Sequence, residues 1–274
     1  MDGSLAKQHF HREVSQPDGQ IDLAKAALYM AREHQPPFDP NIYLNALDTM
    51  AAEVSERLPE SRYPLRVIGA INRYLFEDLG FRGNRSQYYD PENSFLNRVI
   101  DRRRGIPITL SLVYLEVARR VDFPMVGIGM PGHFLIRPEF EDAGIYVDAF
   151  EGGEVLFPQD CEARLSQIYG QPVKLQPEFL NPVDKRRFLG RMLQNLKVIY
   201  MNGGKLEAAV GVVEQMLLVY PDAVSERRDR GILCYQLGRR TEARRDLQDY
   251  LDRFPRARDA GIIRQLLDQM DSDR

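Results

Sequence analysis

RGIPITLSLVYLEVARRVDFPMVGIGMPGHFLIRPEFEDAGIYVD, residues 104–148, is the stretch of the chain that decides its fold. Its first half is apolar on nearly every side of a helix that begins at Pro107, so we expect that helix to be buried. Its second half changes to short β-rich runs divided by turns. His133 stands at the start of one run, and Asp148 stands in the next. The stretch predicts a central helix followed by a small antiparallel sheet, with EVLF at 154–157 as a further strand.

Helical patterns precede this stretch. Apolar residues recur at helical spacing over 21–34, 41–58 and 63–81, which predicts three amphipathic helices. Residues 1–19 are polar and aperiodic, and they predict a loose leader.

A long polar loop then runs from residue 82 to the start of a further helix at about Ser94. Loops of this length before a buried element often line sites. We therefore expect its aromatic and amide side chains to form a cleft wall: Tyr88, Tyr89, Asn93 and Asn97. A solvated loop with tyrosine rings packed on the core is the alternative.

The C-terminal part of the chain contains a repeat. A shift of 34 residues superimposes Gly204 on Gly238, Ala209 on Ala243, Leu217 on Leu251 and Pro221 on Pro255. Small alanines permit close helix approach, and prolines stop each helix pair. This period resembles the tetratricopeptide repeat. We expect an all-α domain over 184–274, joined by a proline-rich connector at 171–183.

Composition excludes several classes of protein. Hydrophobic residues make up 43% of the chain, the formal net charge is −3, and bases and acids are interleaved even in the densest basic runs. A nucleic-acid surface would need a stripe of one sign, so no nucleic-acid partner is expected. The sequence has no signal-peptide pattern and no apolar run that could span a membrane, which predicts a cytoplasmic protein without a membrane partner.

The cysteines and histidines give no sign of a disulfide or a metal centre. Cys161 and Cys234 are not paired by spacing, so we expect two free thiols, with Cys234 in the core of the repeat. His9 and His11 have too few neighbouring ligands to hold a metal ion. We predict neither a metal nor another cofactor.

His133 and Asp148 have the residue types of an acid–base pair. An aspartate beside a histidine fixes its tautomer, and the histidine takes the proton of a nucleophile. On spacing alone, a structural His–Asp contact is the simpler explanation. Candidate nucleophiles are Thr109 and Ser111, hydroxyls that ordinarily bond back to their own helix, and Cys161 at another helix start.

Three segments resemble one bacterial family: RRRGIPITLSLVYLEVARR (102–120), FPMVGIGMPGHFLIR (123–137) and YVDAF (146–150). With the preceding LGFRGNRSQYYDPENSFLN, they resemble the SirB-type family, which joins a transglutaminase-like domain to C-terminal tetratricopeptide repeats. The resemblance implies an α+β, papain-like N-terminal domain with a small antiparallel sheet over residues 20–170. It matches His133 and Asp148 to the histidine and aspartate of a Cys–His–Asp triad.

The cysteine of that triad has no match. Counting back from Phe123-Pro124, its position falls on Pro107, and none of residues 105–109 is cysteine. The resemblance therefore implies a degenerate active site. We expect a non-catalytic regulatory protein that binds a protein or peptide partner. The partner would lie in the cleft that holds the triad in catalytic members, or on a face of the helical repeats. The alternative is an amide or peptide hydrolase, or an acyltransferase, that keeps the His133–Asp148 pair and uses a hydroxyl, Cys161 or water as nucleophile.

Overall fold

The computed structural model describes residues 2–140 and 144–272. It divides into two units, residues 1–192 and residues 193–274. The first unit begins with six α-helices: α1 (Asp2–Val14), α2 (Leu23–His34), α3 (Pro40–Arg57), α4 (Pro64–Asn72), α5 (Leu96–Arg102) and α6 (Pro107–Arg120). A π-helical segment, Arg73–Asp78, continues α4.

Helix α6 is the centre of the first unit. Every residue from Pro107 to Ala118 is buried, and the helix reaches solvent only at Arg119 and Arg120. It packs against α3, α5 and the strands that follow it. Proline is tolerated at the first position of a helix because the N–H that it lacks has no partner there. The predicted buried central helix is confirmed.

The first helix differs from the sequence-based expectation of a loose leader over 1–19. Helix α1 packs against α2, and Phe10 and Val14 are fully buried, with Ala6 almost so. These three residues are spaced by four, which places them on one face of a helix. A narrow apolar stripe in a polar segment was enough to fix this helix, so the expectation of a loose leader was wrong for residues 2–14.

The structure has six strands within the described residues, of which the last four are the runs that the sequence predicts. A short parallel pair, β1 (Arg82–Gly83) and β2 (Arg104–Gly105), ties the polar loop to the segment before α6. The main sheet is an antiparallel meander in chain order: β3 (Met125–Ile128), β4 (Leu135–Pro138), β5 (Tyr146–Asp148) and β6 (Glu154–Leu156). Helix α7 (Pro158–Tyr169) then covers an apolar cluster on this sheet.

The boundary between the two units lies inside helix α8 (Lys185–Asn202), between Met192 and Leu193. The sequence-based boundary was the connector at 171–183. The start of α8 belongs to the first unit because Phe188 packs edge-on against Phe134 beside the sheet, with ring centroids 4.9 Å apart.

The second unit is entirely helical within the described residues. It holds the end of α8 and four more helices: α9 (Leu206–Val219), α10 (Val224–Gln236), α11 (Arg240–Arg253) and α12 (Ala260–Ser272). Both ends of α9 and α11 differ by the 34 residues of the predicted period. Gly204 and Gly238 both have positive φ, at 66° and 74°, in equivalent turns. The predicted architecture, an α+β domain with a small antiparallel sheet followed by an all-α domain, is confirmed.

Candidate functional site

His133 lies in the turn between β3 and β4. Its backbone N–H donates to the carbonyl of Met130 at 3.1 Å, and Gly132 between them has a φ of 72°. A side chain at Gly132 would be strained by that φ and would meet Ile168. The tight turn holds the imidazole at the start of β4, where only 8% of the side chain is exposed.

Asp148 ends β5, the strand that pairs with β4. The register pairs Ile136 with Val147, which places Asp148 near the turn that carries His133. Nε2 of His133 lies 2.7 Å from Oδ2 of Asp148. A carboxylate only accepts hydrogen bonds, so the proton of the ring lies on Nε2. The other ring nitrogen, Nδ1, can then accept a hydrogen bond. Nδ1 has no hydrogen-bond partner in the part of the chain that the structure describes.

The other oxygen of Asp148 has a structural task. Oδ1 accepts hydrogen bonds from the backbone N–H groups of Phe150 and Glu151, at 3.1 and 3.3 Å. It thereby caps the 3₁₀ turn Ala149–Glu151 that follows β5. The carboxylate is fully buried, and both of its oxygens are engaged.

Arg164 on α7 is a partner of this pair that sequence reasoning missed. Its Nη1 donates to Oδ2 of Asp148 at 2.7 Å, and its Nη2 donates to Glu154 at 2.6 Å. Burial acts to lower the pKa of Arg164, but these carboxylates outweigh it, and the pKa is raised. The buried aspartate is thus balanced by a permanent cation.

Arg191 on α8 is a second missed residue. Its Nη2 donates to the backbone carbonyls of Met130 and His133, at 2.8 and 2.5 Å, and its guanidinium lies 5.4 Å from the ring centroid of Phe134. Burial lowers the pKa of Arg191. Two hydrogen bonds to the ends of one turn fix the position of His133.

Three aromatic rings lead from His133 to solvent, and we call Phe150, Tyr88 and Tyr89 the aromatic row. The Phe150 ring is edge-on to the His133 ring, at 6.2 Å between centroids. Tyr88 is edge-on to Phe150 at 6.0 Å and to Tyr89 at 5.3 Å. Tyr89 is 70% exposed. The structure therefore brings two of the four loop residues, Tyr88 and Tyr89, towards His133.

The two asparagines of that loop are buried elsewhere. Asn93 is fully buried, donates to the backbone carbonyls of Gln87 and Tyr88, and accepts from Asn84. Asn97 is also buried, and its amide interacts with Tyr43. The structure places neither on a cleft wall: Asn93 shapes the loop from inside, and Asn97 faces α3.

The hydroxyls and the thiol have different surroundings. Thr109 donates to the carbonyl of Asn93 at 2.7 Å and accepts from the N–H of Ile106 at 3.1 Å, so its oxygen caps the helix that Pro107 begins. Ser111 is fully buried, and its Oγ has no hydrogen-bond partner among the described residues.

Cys161 lies in an apolar cluster with Met130, Leu135 and Leu165. Burial, with smaller contributions from Asp160 and Asp148, raises the pKa of its thiol to about 12. A thiol in this environment stays protonated and is a poor nucleophile near neutral pH.

A cavity of about 550 Å³ lies elsewhere in the first unit, between the start of α2, α6 and the edge strand β3. His133 does not line it. Most of its charged groups are already engaged: Glu116 pairs with Arg119 and Arg120, and Lys185 donates to the carbonyls of Gly19 and Ile21. We therefore place the candidate site at His133 instead.

The described residues contain neither a cluster of metal-binding side chains nor a helix that could cross a membrane. Within residues 2–140 and 144–272, no three His, Cys, Asp or Glu side chains are grouped closely enough to hold a metal ion. Among the same residues, no helix combines the length and the apolar character that crossing a bilayer requires.

A central helix packed on an antiparallel sheet, with a hydrogen-bonded His–Asp pair at the strand ends, defines a transglutaminase-like domain. The chain belongs to the transglutaminase-like superfamily, whose family model matches residues 41–194. A tetratricopeptide-repeat model matches residues 196–268. Both parts of the sequence-based resemblance are confirmed at this level.

The most informative relatives are bacterial. The chain is 36% identical over 261 residues to a UPF0162 protein of Xylella fastidiosa, covering 94% of this chain and 92% of that protein. It is 30% identical over 223 residues to a UPF0162 protein of Vibrio cholerae, covering 81% and 80%. The mouse F-box only protein 21 is 33% identical over 201 residues, which cover 69% of this chain and 31% of that protein. No solved structure matches the chain.

Proposed function

We propose that this protein binds a protein or peptide partner at the His133 cleft and does not catalyse acyl transfer there. The observation that carries the proposal is the environment of every thiol or hydroxyl considered as a nucleophile. Pro107 offers none, the oxygen of Thr109 is engaged on both sides, and Cys161 has a pKa of about 12. Ser111 is fully enclosed.

The character of the opening supports binding. The aromatic row offers stacking surface with a polar phenol at its exposed end, and aromatic residues of this kind dominate recognition of peptides. Burial raises the pKa of Tyr88, so its hydroxyl remains a hydrogen-bond donor at neutral pH.

The helical repeats support the same class of function. Tetratricopeptide helices commonly act in protein–protein interaction, which makes a regulatory binding module the function that we infer for the whole chain. Cys161 and Cys234 are both buried and unpaired, which supports our proposal of a reducing, cytoplasmic location.

One observation favours a second candidate, an amide hydrolase or acyltransferase. Nε2 of His133 is held by Asp148, so Nδ1 is the ring nitrogen left to act as a base. Water would then be the nucleophile best placed to enter, since the side-chain candidates are engaged or buried.

A single assay separates the two candidates. The purified chain is incubated with N-acetylated tetrapeptides, as a pool of free acids and as a pool of amides, and with a primary amine. Products are followed by mass spectrometry, and binding is followed by NMR. We expect saturable changes at Tyr88 and His133 and no hydrolysed or transamidated product. The proposal fails if product forms and His133→Ala abolishes it. Asp122→Asn, a change in a turn outside the site, is the control for the preparation.

A further inference from the structure

Arg191 differs from the other well-buried arginines of the first unit. Arg120 pairs with Asp48 and Glu116, and Arg164 pairs with Asp148 and Glu154. Arg191 contacts no carboxylate among residues 2–140 and 144–272, and the acceptors that the structure gives it are two backbone carbonyls. A desolvated cation without an anion is costly, so its retention needs a reason.

One of the three guanidinium nitrogens of Arg191 makes both of the hydrogen bonds that the structure gives this group. Nη2 makes both carbonyl contacts, to Met130 and His133, while Nη1 lies beside Gly129. Nε and Nη1 have no hydrogen-bond partner in the described part of the chain. They are also absent from the set of fully buried unsatisfied atoms. Nη2 is therefore oriented by the protein, and the single donors at Nε and Nη1 are left for a ligand.

The guanidinium lies beside the turn that carries His133 and near the aromatic row. The phenol of Tyr88 is close enough to Arg191 to interact with it electrostatically. The other nearby arginine, Arg85, is engaged with Glu151 and lies over the Phe150 ring. Arg191 is thus the cation left for an anion entering along the aromatic row.

We propose that Arg191 binds a carboxylate of a peptide ligand, with the Tyr88 hydroxyl as a second donor and His133 beside it. A charged N–H donor of an arginine bonds strongly to a carboxylate oxygen, and the aromatic row offers stacking surface beside it. The inference rests on the proposed function, because it names the chemical group that the cleft recognises.

The experiment uses the full chain labelled with ¹⁵N, and it follows the Arg191 Nε–H resonance, identified by its loss in Arg191→Lys. The first probe is a pool of N-acetylated tetrapeptides with free C-terminal carboxylates and without Asp or Glu. The second is the same pool with C-terminal amides. The third is an amidated pool that contains Asp and Glu. Inorganic phosphate is the fourth.

We expect the first pool to shift the Arg191 resonance in a saturable way and the plain amide pool to leave it unchanged. Arg191→Lys, which keeps the charge and a donor for the two carbonyls, should weaken binding roughly tenfold to a hundredfold. Tyr88→Phe preserves the ring packing and should weaken it less. A response to the third pool in place of the first keeps the carboxylate and assigns it to a side chain.

Other outcomes overturn the inference. If free-acid and plain amide pools bind equally and Arg191→Lys changes neither, peptide binding stands but Arg191 does not recognise a carboxylate. If phosphate shifts the resonance and no carboxylate pool does, the ligand class is wrong. If no pool perturbs Arg191, His133 or Tyr88, both this inference and the proposed function fall.

Discussion

Arg164 and His133 bind the same oxygen atom. Nη1 of Arg164 and Nε2 of His133 each lie 2.7 Å from Oδ2 of the fully buried Asp148. In a working triad the aspartate stabilises the charge that develops on the histidine. Here the guanidinium of Arg164 already pairs with that carboxylate. The arrangement favours a structural use of the aspartate.

The first prediction compares the two members of the pair. Asp148→Ala removes a turn cap and leaves Arg164 and His133 without their buried partner, which should cost about 3 kcal/mol. His133→Gln keeps a donor near Oδ2 and should cost less than about 1 kcal/mol. Hydrogen exchange of the β4 and β5 amides measures both. Equal costs would show that the pair, and not the aspartate alone, holds the site together.

Thr109 and Ser111 form a matched pair of hydroxyls on one helix. Thr109→Val removes the acceptor for the Ile106 N–H and the donor to the Asn93 carbonyl, and we expect a loss of about 1–3 kcal/mol. Ser111→Ala removes an oxygen without a partner among the described residues and should be neutral or slightly stabilising. Urea titration followed by circular dichroism tests the difference. A large loss of stability in Ser111→Ala would contradict it.

Cys161 should resist alkylation in the folded protein. With a pKa of about 12, roughly one thiol in ten thousand is ionised at about pH 8. Unfolding returns the thiol to its ordinary pKa near 9.0, so labelling by iodoacetamide should accelerate sharply in urea. The raised folded pKa also means that this group's contribution to stability is lost as pH rises from about 9 towards 12. Rapid labelling of Cys161 in native buffer would restore it as a nucleophile.

A buried ion pair should dominate the polar energetics of the second unit. Arg230 donates to both oxygens of Asp246, at 2.6 and 2.7 Å, and the aspartate is almost completely buried. Asp246→Ala should cost about 3–5 kcal/mol because it leaves Arg230 unpaired. The more exposed pair of Arg227 and Asp249 is the control, and Asp249→Ala should cost less than about 1 kcal/mol. Hydrogen exchange in α10 and α11 reports both, and similar losses would refute the distinction.

Much of the fold follows from short-range rules in the sequence. Pro107 begins the central helix because proline fits the first helical position, and the runs around His133 and Asp148 form neighbouring strands as their alternation predicts. The shift that pairs Gly204 with Gly238 gives the ends of α9 and α11. These signals are local, or they repeat within the chain, and so a single sequence contains them.

The residues that complete the site carry no such signal. Arg164 and Arg191 come from helices 16 and 58 residues away from their partners, and a chain with 37 lysines and arginines does not mark which of them face inward. The position of Asn93 could not be predicted for a related reason. A polar side chain in a loop gives the same sequence pattern whether it faces a cleft or, as Asn93 does, bonds to the backbone of its own loop.

The two oxygens of Asp148 have different structural tasks. This affects how a His–Asp pair in other members of the superfamily should be interpreted. One oxygen caps a turn, and the other anchors helix α7 through Arg164, so selection for folding would preserve the aspartate after any chemistry had disappeared. Under the proposed function, the contribution of Asp148 to stability is a sufficient reason for the pair to be kept. The presence of such a pair in another chain does not diagnose an enzyme, and activity has to be sought at the position of the nucleophile instead.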